Sequence, residues 1–162
     1  MHPFVNTAVR AARKAGDTIA RAMSRFEGIE SSAKGLNDFV TNIDHAAEAD
    51  IIGILRTAYP HHAFLAEESG AFGNADTTWI IDPLDGTTNF MHGFPQFAVS
   101  IACQVRDQIE HAVVYDPMRQ EIFTASRGSG AYLENRRLRV SKQRTLQGAL
   151  TVSYTHLTLP TK

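Results

Sequence analysis

"FAVSIACQVRDQIEHAVVYDPMRQEIFTAS", residues 97–126, decides how this chain folds. Three runs within it, "FAVSIACQV", "IEHAVVYD" and "EIFTAS", carry Val, Ile, Phe and Tyr in the alternating pattern of strands. Only "RDQ" and "DPMRQ" separate them. A parallel crossover needs a dozen or more residues, so connections this short make the neighbouring strands antiparallel.

Toward the carboxy terminus "GAYLEN" extends the sheet after "RGSG", and toward the amino terminus "AFLAEE" and "TTWIID" are further strand candidates. Upstream of these the period changes. Residues 4–23 place Phe4, Ala8, Ala12, Ala15, Ile19 and Met23 at three- and four-residue intervals, with Pro3 near the first turn and Arg10, Arg13, Lys14 and Arg21 on the other face. That spacing predicts an amphipathic helix. "EGIESSAKGLND" reads as a loop, and "FVTNIDHAAEADIIGILRTAYP" as a second helix stopped by Pro60. The expected class is α+β, with two amino-terminal helices packed on a largely antiparallel sheet in one domain.

The chain has 162 residues, 43% of them apolar and 20% charged, enough to bury a core of its own. Its formal net charge of −1 offers no basic field for nucleic acid or an anionic membrane. The one cysteine, Cys103, lies in an apolar alternating run and reads as core, which suits a reducing compartment. With neither a secretory leader nor an apolar run long enough to span a bilayer, the expected location is cytoplasmic. No phosphate-binding G-x-x-x-x-G-K-[ST] loop and no G-x-G-x-x-G occurs, so nucleotide-dependent kinase or dehydrogenase chemistry has no support. His61 and His62 follow a proline in a turn and read as exposed; His92 and His111 are isolated.

Chemistry concentrates in "WIIDPLDGTTNF", residues 79–90. Asp-Pro and Asp-Gly are turn formers, and a strand ending in them needs no function to explain it. Yet Asp82 precedes Pro83, which holds its backbone extended, and a turn there frees the Leu84 carbonyl and aims Asp85 back toward Asp82. Two carboxylates and a carbonyl suit a hard cation such as magnesium. Gly86 permits close approach to the backbone, and Thr87 and Thr88 stand where a short helix could begin and present N–H groups to phosphate. In "LAEES", Glu67 and Glu68 end a strand, so only one of them can face the aspartates. Three converging carboxylates would repel one another unless cations neutralised them. In "KGLNDFVTNID", Thr41 and Asp44 have the spacing of a helix capping box, and Lys34 reads as a solvated loop cation or as a charge that steadies the acidic cluster.

"KGLNDFVTNID", "LAEES" and "WIIDPLDGTTNFMHGFP", in this order, resemble the inositol monophosphatase family of magnesium-dependent, lithium-sensitive phosphatases, and most nearly its bacterial extragenic-suppressor type. The resemblance runs from "NTAVRAARKAG" to about residue 150. It implies the first half of the layered α/β sandwich shared with the fructose bisphosphatases. Glu67, Asp82 and the Leu84 carbonyl match ligands of a first Mg²⁺, and Asp82 and Asp85 match ligands of a second. Thr87, with Asp44 and Glu67, matches the groups that orient or deprotonate the attacking water. Leu84, Asp85, Gly86, Thr87 and Lys34 match the surroundings of the substrate phosphate.

The implied reaction is hydrolysis of myo-inositol 1-phosphate, or a similar sugar-alcohol phosphate, by metal-activated water. Alternatives are fructose 1,6-bisphosphatase or 3′-phosphoadenosine 5′-phosphate phosphatase activity and, outside catalysis, a role as transcription antitermination partner of RNA polymerase. Family members are commonly homodimers, and near-neutral charge favours protein contact over direct nucleic-acid binding. The family completes its second metal site with an aspartate in a W-D-x-A-A-G-like stretch, whereas the only tryptophan here is Trp79. Residues 1–152 are therefore expected to be the metal-binding amino-terminal part, inactive by itself, and 153–162, "SYTHLTLPTK", a non-native tail.

Overall fold

The computed structural model describes residues 2–25 and 33–149, with the side chains of 33–41 excepted. Helix α1 spans Pro3–Met23 and helix α2 spans Ala33–Ala58. Eight strands follow: β1 Ala63–Ala66, β2 Gly70–Phe72, β3 Thr77–Asp85, β4 Ala98–Val105, β5 Gln108–Asp116, β6 Glu121–Ser126, β7 Gly130–Leu133 and β8 Arg136–Arg137. A short helix, α3, occupies Thr87–Met91 between β3 and β4. The strands form one sheet in the order β2-β1-β3-β4-β5-β6-β7-β8, antiparallel throughout except for the β1–β3 pair. The expected α+β architecture is therefore what the chain adopts.

Both long helices lie on one face of the sheet, α1 over β4 and β5 and α2 over β3. The inward face of α1 is made of small residues, among them Ala8, Ala11, Ala12, Ala15 and Gly16, which lets the helix approach closely. At Gly16 an added Cβ would run into the Tyr115 ring of β5. Facing these residues, Trp79, Ile81, Val99, Ile101, Cys103 and Val113 complete the core. Burial pushes the Cys103 thiol up to about 12, so it remains an uncharged packing group. The β5–β6 connection is closed by Asp116, whose Oδ1 accepts the N–H groups of Met118 and Arg119, each at 2.9 Å.

Several sequence expectations change. Helix α2 begins at Ala33, inside the stretch read as a loop, because each residue added to a packed helix gains a backbone hydrogen bond for little further entropy. Thr41 and Asp44 consequently lie in the helix interior and cannot form an N-terminal capping box. Strand β1 stops at Ala66, so Glu67 and Glu68 belong to a turn and the alternation argument does not govern them. His62 is half-buried: it accepts the Trp79 indole N–H at 3.1 Å and stacks on Tyr59, and its burial lowers its pKa. His111 also has partners, stacking on His2 and pairing with the Ser126 hydroxyl at 2.9 Å.

Candidate functional site

The acidic groups gather where β1 and β3 end. Strand β3 does not turn at Asp82 as the Asp-Pro pair suggests. It continues to Asp85 with a bulge: Asp82 pairs with Ser100 and Asp85 with Ala98, so two residues of β3, Pro83 and Leu84, stand opposite one of β4, Val99. Pro83 is tolerated because β1 pairs with β3 only as far as Ile81, leaving no partner that needs the missing N–H. A bulge re-aims side chains, and here Pro83 and Leu84 are buried while Asp85 is exposed.

Beyond the bulge, Gly86 adopts φ 97°, a left-handed conformation, and caps α3. A Cβ there would stand 3.0 Å from the Gln96 carbonyl and 3.2 Å from Phe97. The glycine is thus required by the packing of its own loop. The Leu84 carbonyl, expected to be free, accepts the Thr87 hydroxyl at 2.9 Å. A carbonyl oxygen has two lone pairs, so it retains capacity for a second partner.

From α2, Asp44 projects into the same region and is 6% exposed. Burial pushes its carboxyl up to about 7, with further contributions from the charges of Glu68, Glu67 and Glu48. Asp82 is also pushed up to about 7, by burial first, then by the charge and hydrogen bond of Glu67 and the charge of Asp85, against the Leu84 N–H. Among the described residues, Asp44 Oδ1 and Asp82 Oδ1 are buried with no hydrogen-bond partner. Burying such an oxygen unpaired is costly, and this cluster holds two.

Structure thus brings together Asp44, Glu67, Asp82 and Asp85 electrostatically and places Leu84, Gly86 and Thr87 along the adjoining bulge and helix start. The side chain of Lys34, and that of Thr41, lie outside the described residues, although both backbones are in α2. The sequence reading missed Glu48. It is 1% exposed, and its carboxylate accepts the Glu68 N–H at 2.8 Å and the Ser69 N–H at 3.0 Å. Its position one helical turn after Asp44, on the same face, was the available signal.

Among the described residues no three His, Cys, Asp or Glu side chains are drawn together as a ready metal cage. The donor set nevertheless fits a hard divalent cation: it is all oxygen, mostly carboxylate, and two of its buried oxygens lack a partner. A cavity of about 630 Å³ lies elsewhere, between the start of α1 and strands β6 and β7, lined by residues including His2, His111, Tyr132 and Glu134. It contains none of the clustered acids. None of the described helices is long and apolar enough to cross a membrane.

Known proteins resemble this chain in sequence and in fold. The profile of the inositol monophosphatase family matches residues 1–160. The Nus factor SuhB of Haemophilus influenzae is 54% identical over 152 residues, which are 93% of this chain and 57% of that protein. The extragenic suppressor protein SuhB of Bartonella henselae superposes with a TM-score of 0.80 at 42% identity, over 90% of this chain and 57% of that one. An inositol monophosphatase from Anabaena gives a TM-score of 0.74 at 37% identity, over 86% and 50% of the two chains. The chain therefore spans a little over half the length of the curated relatives it matches.

Proposed function

Because the chain belongs to the inositol monophosphatase family and is of the SuhB type, we propose that it carries the metal-binding half of a magnesium-dependent phosphomonoesterase site. One observation carries this reading: Asp44 Oδ1 and Asp82 Oδ1 are buried without partners among the described residues, in a cluster of mutually repelling carboxylates. Glu67, Asp82, Asp85 and the Leu84 carbonyl would hold Mg²⁺. The chemistry such an ion supplies is Lewis-acid activation of water and neutralisation of phosphoryl charge.

Around it, this chain's own residues bind and orient. Asp44 and Thr87 position the attacking water, and backbone N–H groups at Gly86 and Thr87, with Lys34, meet the phosphate. The proposed substrate is myo-inositol 1-phosphate or a similar sugar-alcohol phosphate, and lithium inhibits by competing for a metal position. In the protein at its relatives' full length, phosphate release should be fastest from inositol 1-phosphate in a panel with fructose 1,6-bisphosphate and 3′-phosphoadenosine 5′-phosphate. Equal or faster release from either competitor contradicts the substrate assignment.

A second reading has its own support. The H. influenzae relative and its Escherichia coli counterpart, at 54% and 55% identity, both bear the name Nus factor. As the cellular role of the whole cytoplasmic protein, a contact with RNA polymerase in transcription antitermination is favoured by these names over hydrolysis. That contact would be made with protein, given the net charge of −1, and by a homodimer. Asp82→Asn in the full-length protein separates the two roles: loss of hydrolysis with antitermination retained assigns the cellular role to the contact, and loss of both assigns it to the metal site.

A further inference from the structure

We propose that Glu48 is a positioning residue, whose buried carboxylate ties the turn carrying Glu67 to the helix carrying Asp44. The role rests on the metal site proposed above. Glu48 Oε2 accepts the Glu68 N–H at 2.8 Å, and Oε1 accepts the Ser69 N–H at 3.0 Å together with the Ser69 hydroxyl. The Glu67 N–H donates to the Ile81 carbonyl at 3.1 Å. Three consecutive amides of this turn are thereby fixed, one to β3 and two to α2.

Asp44 and Glu48 are four residues apart on one face of α2, so a single helical turn presents one carboxylate to the metal cluster and spends the other on the turn. His45 adds a contact from the same helical turn, with Nε2 3.8 Å from Glu68 Oε2. Glu48 is not a spare ligand: both of its oxygens already accept hydrogen bonds, and at 1% exposure neither faces solvent. Its two oxygens are met by N–H and O–H donors, which makes the turn's geometry sensitive to the carboxyl group itself. Glutamine at this position is nearly isosteric but would turn an NH₂ group toward one of the two amide donors.

The test is a Mn²⁺ titration of the chain followed by electron paramagnetic resonance, with metal-free circular dichroism and melting recorded on each variant. Outer-shell partners of a metal site are worth about 10- to 100-fold in affinity, so Glu48→Gln should weaken Mn²⁺ binding at least tenfold at a temperature where the metal-free protein is folded. Ser69→Ala, which removes the hydroxyl bond but keeps both amide bonds, should weaken it a few-fold at a temperature where the metal-free variant is still folded. Unaltered affinity in a folded Glu48→Gln overturns the role. Should that variant not fold, Ser69→Ala decides, a few-fold loss supporting the role and unaltered affinity overturning it. If the unaltered chain binds no Mn²⁺, the metal site itself falls and this role falls with it.

Discussion

At the scale of single residues, the two raised aspartates make a prediction about pH. Both have folded-state values of about 7 against an ordinary 3.8, so the folded chain holds more protons than the unfolded chain between those values. Their contribution is fully present below about pH 4 and is lost as pH rises through about 7. In chelator, the chain should melt at a higher temperature at pH 5 than at pH 8, and added Mg²⁺ should raise the pH 8 melt more than the pH 5 melt. Asp82→Asn should raise the metal-free melting temperature at pH 8 while removing most of the Mg²⁺ response. A metal-free melting temperature that climbs from pH 5 to pH 8 contradicts the assignment. The residue types were legible in "WIIDPLDGTTNF" and "LAEES", but Glu48 was not, because a glutamate in a helical stretch defaults to solvent and only the fold shows two amides pointed at it.

At the scale of elements, the bulge in β3 and the start of α3 form one unit, hinged on Gly86. Gly86→Ala places a Cβ 3.0 Å from a carbonyl and forces φ 97° on a residue with a side chain. Left-handed strain of that kind costs about 1–3 kcal/mol, and the change should lower stability by at least that much in urea denaturation. Gly16→Val tests the other close approach, of α1 to β5; overpacking against Tyr115 should cost about 1–3 kcal/mol without altering Mg²⁺ affinity. No loss of stability in either variant would refute the packing described. Strand alternation and short connections made β4, β5 and β6 legible from sequence. The bulge was hidden, since Asp-Pro-x-Asp-Gly reads equally well as a turn, and which of the two forms depends on whether β4 continues alongside. The early start of α2 was hidden because local propensity is a weak guide, and Gly35 and Asn37 argued against a helix there.

At the scale of the whole molecule, the sheet has its two long helices on one face. Leu65 and Val114, on the other, are 47% and 36% exposed. An apolar face of this kind calls for a second layer, and the relatives are long enough to supply one, since this chain spans 57% of their length. The 162-residue chain is expected to bind metal but release no phosphate from inositol 1-phosphate, because the family resemblance implies a further aspartate ligand after a tryptophan and the only tryptophan here is Trp79. Turnover comparable to that of a full-length relative would contradict this expectation. The fold class of the amino-terminal half and its family were readable from motif order. Substrate and partner were not, because acidic residues and a glycine turn can report a cation and a phosphate but not the alcohol attached to it.

The most direct test of the central claim is calorimetric titration of Mg²⁺ into the unaltered chain and into Asp82→Asn at pH 8. Saturable binding by the unaltered chain and its loss in the variant are expected. Equal binding by both proteins, or none by the unaltered chain, would contradict the claim.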